Sequence, residues 1–271
     1  MSNINFLEKP SILSQGKYFQ IVTRIKLIDE TIIRSNDPEE VLTFHYKSLG
    51  NRFIIPWRKV KGKLRRLVQE QQRGFGISPE CHLKDDLCMK CPTCFLFGGT
   101  GETSSANVRY NILSRILGET FISYNEVENV TSLTENAVDE RTLTTGQALM
   151  SIITVPKETC FIGVITLKDS TKEMAQIILD NLNRLTRLGA RSVEWGRCTN
   201  EIIGCISGDR EILTAYDLVQ KKDWDTILLK VSELELPSTD VAFQTLAQQV
   251  NELLVDLMKK SPGSDLSSTG K

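Results

Sequence analysis

The sequence predicts an α+β sandwich, and three observations carry that prediction. Residues 18 to 28 alternate apolar and polar side chains, as a half-buried strand does. Two later segments, 57 to 73 and 171 to 188, repeat apolar residues at helical spacing. Short β-rich runs recur around them, giving strand–helix–strand–strand–helix–strand, the order of a ferredoxin-like fold. The 271 residues, 40% hydrophobic and 25% charged, suffice for one core with insertions. We therefore expect one domain over 1–260, interrupted at about 74–101 and 119–150, with a disordered tail at 261–271.

Each element has its own signal. In the first strand Phe19, Ile21, Ile25 and Leu27 take the core register, with Arg24 and Lys26 on the opposite face. Residues 29–55 read as an irregular connection closed by a short strand, Phe53 to Ile55; His45 within it, in the strand-like Phe44-His45-Tyr46, reads as packing. From 57 to 73, Val60, Leu64, Leu67 and Val68 form one apolar stripe on a helix. Residues 106–124 suggest one or two strands, and the polar, Thr-rich 125–147 a protruding hairpin or loop. Strands follow at 151–155 and 160–167. The helix at 171–188 is expected to start from Ser170 as N-cap, with Glu173 in capping-box position, and to stop at Gly189. A strand at 201–207 and an amphipathic helix at 239–260, with Val250, Leu253, Leu254 and Leu257, complete the chain.

No run approaches the roughly 18 apolar residues of a membrane span, and residues 1–10 lack the apolar centre of a secretory signal. A cytoplasmic protein with no membrane partner is the expectation. Seven cysteines, an odd number, argue against a disulfide framework in such a chain. Four fall together as Cys81-x6-Cys88-x2-Cys91-x2-Cys94, beside His82. This spacing suits a closed, structural Zn2+ site, with Cys81 or His82 as the fourth ligand. An iron–sulfur cluster and unliganded thiols are the competing readings. Cys160, Cys198 and Cys205 read as small buried hydrophobes.

Charge is sorted rather than accumulated: 33 Lys+Arg stand against 34 Asp+Glu, which excludes a generic polyanion-coating protein. Yet residues 57–73 hold seven basic residues and one acid, Glu70. Such a helix is either a solvated face or a seat for a polyanion. Gly62 lies mid-arc, where it costs about 1 kcal/mol of helix propensity; close approach of a ligand to the backbone would justify it. Arg184, Arg187, Arg191 and Arg197 make a second basic cluster at a Gly-rich turn, in which Trp195 either stacks on a base or plugs the core edge. Catalytic motifs are missing; the loop acids Asp37, Glu39, Glu40, Asp139 and Glu140 leave a Mg2+-dependent nuclease as the enzyme-class alternative. A zinc-stapled protein-assembly module is the third reading.

Several motifs in order resemble the RAMP superfamily of CRISPR proteins. They are Ile55-Pro56 with Lys61-Gly62-x-Leu64-Arg65; Cys91-Pro92-Thr93-Cys94-Phe95-Leu96-Phe97-Gly98; Glu135 to Asp139 with Val155 to Phe161; and Leu188-Gly189 to Gly196. The cysteine insertion is most similar to that of the type I-D backbone subunit. The resemblance implies an RRM-like palm, a zinc-bearing finger and a β-hairpin thumb over residues 129–145 that includes Val138, Asp139, Arg141 and Thr142. It implies a non-catalytic backbone subunit of a Cascade complex, polymerised with copies of itself along CRISPR RNA (crRNA) beside other Cascade subunits. Target DNA would pair with the displayed guide. By position, Arg24, Lys59, Lys61, Gly62, Lys63, Arg65, Arg66, Arg191 and Arg197 would hold the RNA. Related subunits that cut RNA use an Asp in the loop before Ile-Pro; the surroundings of Asp37 do not match, so no cleavage is expected.

Overall fold

A computed structural model describes residues 4–33, 42–83, 86–101, 108, 110–127, 131–138, 141–142, 145–220 and 224–260; for 131–138, 145–152, 225 and 256–260 it describes the backbone alone. The tail 261–271 lies outside the described residues. In chain order the elements are β1 (Tyr18–Leu27), β2 (Thr43–Tyr46), β3 (Gly50–Ile55), α1 (Trp57–Gly74), α2 (Pro92–Phe97), β4 (Ile116–Gly118), β5 (Phe121–Glu126), β6 (Thr131–Val138), β7 (Thr145–Thr154), β8 (Cys160–Lys168), α3 (Lys172–Asn183), β9 (Cys198–Gly208), α4 (Ala215–Gln220) and α5 (Thr239–Lys260). The result is an antiparallel sheet, ordered β2-β3-β5-β8-β1-β9 with β4 also on β8, and a separate β6–β7 ribbon.

The main core lies on one face of the sheet. There Phe19, Ile21, Ile25 and Leu27 meet Val60, Leu64 and Val68 of α1, Ile177 and Leu182 of α3, and Phe243 and Leu246 of α5. Burying each large side chain stabilises the fold by about 1.5–3 kcal/mol. β1 is buried on both faces, not one. Val22 joins Ile162, Val164, Leu213 and Leu218 on the far side, because the chain after β9 folds back over it.

The structure corrects several expectations. Part of 29–55 is a hairpin: β2 pairs with β3, and His45 is an exposed edge residue whose Nδ1 lies 2.9 Å from Asn51 Oδ1. The segment 119–150 is divided, since 121–126 forms β5 of the main sheet and the ribbon begins at Thr131. Residues 151–154 pair in that ribbon and not with β8. The N-cap of α3 is Thr171, whose side chain accepts from the Met174 N–H. The Ser170 carbonyl accepts from Leu7 N of the N-terminal segment at 2.9 Å. That helix stops at Asn183, where Asn200 Nδ2 donates to the Leu182 carbonyl at 2.9 Å.

Candidate nucleic-acid interface and metal site

α1 starts after Pro56, with no side-chain cap and no acid in its first turn. Its apolar stripe is buried as predicted, which points the remaining side chains outward along two flanks. On one flank Arg58, Lys59, Gly62, Lys63 and Arg66 face the turn that follows α3. The two walls enclose a cleft of about 370 Å³, completed by Ile33, Arg187, Gly189, Ala190 and Ser192. Five cationic side chains line it, with no carboxylate among the described lining residues. A Cβ added at Gly62 would meet only Arg66 Nη1, at 4.0 Å. The floor of the cleft is therefore bare helix backbone.

Backbone bonds hold the opposite wall. Leu188 N donates to Gly196 O and Ala190 N to Ile32 O, both at 2.8 Å. Arg187 reaches back through Nη1 to the carbonyls of Ser192 (3.1 Å) and Trp195 (3.4 Å). Arg191 sits in this turn at φ 48° and is exposed. Arg197 is exposed at the base of the turn, its N–H donating to Asp29 Oδ2 at 3.4 Å. Trp195 is half-buried.

The other flank of α1 faces the cysteine segment. Lys61 Nζ donates to Ser114 Oγ at 3.1 Å, and Arg65 Nη1 to the Gly98 carbonyl at 3.3 Å, with its guanidinium 5.9 Å from the centre of the Phe97 ring. Burial, with the Arg65 charge beside it, pushes the Lys61 ammonium down from its ordinary value. Gly98 (φ 80°) can only be glycine, because a Cβ there would lie 2.8 Å from Ile112 O and 2.9 Å from Ser114 N. Arg24 lies on the far face of the sheet, where its Nε donates to Glu201 Oε2 at 3.1 Å.

Lys59, Gly62, Lys63 and Arg66 thus meet in one cleft, while Lys61, Arg65 and Arg24 are turned elsewhere. Arg58 and Arg187 belong to the cleft and were not assigned to it from sequence. The available signal was the spacing of four from Arg58 to Gly62 to Arg66, which lines them along one helix face.

The four cysteines converge. The sulfurs of Cys81, Cys88, Cys91 and Cys94 all lie within 4.8 Å of one another. Cys81 is 3.6 Å from Cys94 and 3.7 Å from Cys91, far beyond the disulfide length of about 2.05 Å. A tetrahedral ion with ligand bonds of about 2.3 Å sets its sulfurs about 3.8 Å apart, so the donor set fits a metal. Cys91 caps α2, its sulfur accepting from Cys94 N at 3.4 Å, and the Cys88 N–H points at the Cys81 sulfur at 3.5 Å. His82 is excluded from the group: its Nδ1 is 2.9 Å from Glu80 O and its Nε2 3.1 Å from Asp86. Cys198 and Cys205 are buried, and burial pushes both thiols up to about 12. Cys160 is only half-buried, against expectation.

β6 and β7 pair from Thr131↔Thr154 to Val138↔Thr145, and Arg141 and Thr142 sit exposed in the turn. Asp139 and Asp37 lie outside the described residues, as do Glu39, Glu40 and Glu140. No described helix is long and apolar enough to cross a membrane.

A family model, Csc2 Crispr, matches residues 5–269. The chain belongs to the Csc2 CRISPR family. It is thus a RAMP-like Cas protein, as its motifs suggested. The crystal structure of Thermofilum pendens Csc2 is similar over 90% of this chain and 81% of that one, with 21% identity and a TM-score of 0.59. A chain of a type IV-B CRISPR complex is similar over 68% of this chain and 90% of its own, with 16% identity and a TM-score of 0.51. Both likenesses bear on the fold. No curated protein matches the sequence.

Proposed function

We propose that the chain is a non-catalytic, crRNA-binding backbone subunit of a CRISPR surveillance complex, of the type I-D Cascade kind. The observation that carries this reading is the cleft of five cations over a glycine floor. Such a site takes a phosphate backbone without reading bases, and guide pairing supplies the sequence recognition. The strand order β5-β8-β1-β9, with α1 and α3 as crossovers, supports a ferredoxin-like palm. The β6–β7 ribbon is the proposed thumb, and the cysteine segment the finger. Its four thiolates favour Zn2+, held in a closed and therefore structural site. Copies stacked along one guide, other Cascade subunits and target DNA are the proposed partners, in the cytoplasm.

The test is purification of the assembled complex and extraction of its nucleic acid. RNA of uniform length with a constant end is expected, and it should be lost when Lys59, Lys63 and Arg66 are together changed to Gln. A complex free of RNA, or RNA retained unchanged by the triple variant, would overturn the reading.

A further inference from the structure

The sheet face away from α1 carries a surface of different chemistry. In β2 the side chains of Phe44 and Tyr46 share the face of their register partners Arg52 and Gly50, opposite to that of Phe53 in the main core. Phe44 and Tyr46 meet edge to face with ring centres 4.8 Å apart, and Tyr46 lies 5.9 Å from Tyr216 of α4. The Tyr216 hydroxyl is hydrogen-bonded to Ser48 Oγ, which fixes the third ring. Phe44 is 51% exposed. Three contacting rings, open at one end, form an aromatic shelf on the outermost strand of the described sheet.

Beside the shelf lies a cavity of about 300 Å³, whose polar lining includes Gln20, Glu119, Thr166, Glu211 and Thr214. Its acids have neutral partners: Glu119 accepts from Ala215 N, and Glu211 from Thr166 Oγ1 at 2.7 Å. Asp217, next to Tyr216, accepts from Thr214 Oγ1 at 2.7 Å. None of the three carboxylates forms an ion pair with a described residue. Burial, opposed by the Ala215 N–H and aided by the Glu211 and Asp217 charges, raises the Glu119 carboxyl to about 7. Arg52, the register partner of Phe44, has its guanidinium held by the carbonyls of Leu49 and Tyr124 and not by any of these acids, and Lys47 is exposed.

Acids alone would be a solvated patch. Joined to stacked rings, they select for one side chain above others. A guanidinium lies flat on aromatic faces and donates in a fork to carboxylates, whereas a phosphate would be repelled. We propose that the shelf of Phe44, Tyr46 and Tyr216, with the Glu119–Glu211 cavity, docks an arginine-bearing segment of another protein chain. The site is independent of the RNA cleft, lying across the sheet from it, and the proposal stands whether or not RNA binds there.

The probe is a capped Gly-Arg-Gly-Arg-Gly peptide, titrated against the full chain, with a citrulline version as the neutral isostere. Aromatic NMR signals of Tyr46 and Tyr216 should move with the arginine peptide and not with citrulline. Phe44→Ala and Glu211→Gln, both at exposed positions, should each weaken binding at least three-fold; Glu119→Gln should do the same if it folds. Equal shifts from citrulline, affinity unchanged in the two surface variants, or a ten-nucleotide single-stranded RNA moving the same rings would each overturn the proposal.

Discussion

Replacing Gly62 by alanine should separate what the glycine does for the fold from what it does for a ligand. In a helix interior, alanine is favoured over glycine by about 0.8–1 kcal/mol. The added Cβ has no neighbour closer than 4.0 Å, so no clash cancels that gain. Gly62→Ala should therefore raise stability by about 1 kcal/mol, a shift of roughly 2 °C in Tm for a chain of this size. The same methyl projects into the cleft between Arg58 and Arg66, where the backbone of an RNA would lie. Weakening one charge-assisted contact by about 1.5 kcal/mol corresponds to about a ten-fold loss of affinity. Thermal melting and fluorescence anisotropy with a labelled single-stranded RNA at fixed salt read the two effects. Gly74→Ala is the control: at the far end of α1, with nothing within 4 Å, it should leave RNA binding alone. A more stable Gly62→Ala protein that binds RNA like the parent would refute the argument that the bare floor serves a ligand. A less stable one would refute the geometry.

Changing Lys59, Lys63 and Arg66 to Gln should reduce the salt slope of RNA binding by about 2, at about 0.7 per phosphate contact on a single strand; Lys61→Gln should change it less, because its ammonium faces Ser114. Asp169 is buried, which pushes its carboxyl up, but the Lys17 and Gln15 N–H groups and Arg115 outweigh burial and hold it below the usual carboxylate range. Its contribution is thus fully present above about pH 4 and lost as pH falls through its folded value. Asp169→Ala should cost about 3 kcal/mol at pH 7 and flatten the acid limb of a urea-denaturation series; an unchanged limb would contradict the assignment. Treatment with a chelator, or Cys91→Ser, should lower the melting temperature of the whole chain as one transition. A separate early transition with an unchanged main one would show that the cysteine segment unfolds alone.

How much of this could be read from sequence depends on how local the deciding interaction is. The stripe of Val60, Leu64, Leu67 and Val68 is set by one helix's own period, and it is buried as expected. Convergence of Cys88, Cys91 and Cys94 follows from two short Cys-x2-Cys spacings, whereas Cys81 is held beside them by Gln69 and Arg73 of α1. The cap of α3 was not legible, since Ser170 and Thr171 are equally good caps and Leu7, from the other end of the chain, selects between them. Around His45 the sequence shows only a strand-like context and not its pairing, because an edge strand with exposed Phe44 and His45 lacks the alternation that burial imposes. Nor could the basic arc of α1 be divided into flanks, since that division depends on where Gly98 and Ser114 return.

That return also decides what the cysteine segment is for. Read from spacing, it is an insertion that could loosen without touching the palm. In the fold, α2 places Phe95, Leu96 and Phe97, at 1%, 0% and 4% exposure, in the same core as Val60, Leu64 and Phe121. At about 1.5–3 kcal/mol each, those three rival the 5–15 kcal/mol that holds a typical domain together. α1 is tied to the same segment: Gln69 Nε2 donates to Cys81 O at 2.7 Å, Arg73 Nη2 to the same oxygen at 3.0 Å, and Gln72 Oε1 accepts from Thr93 N at 3.0 Å. The helix that floors the cationic cleft is thus clamped from behind by the thiol-bearing turn. An ion bound by those sulfurs would also fix the angle at which Arg58, Lys59, Lys63 and Arg66 face the cleft.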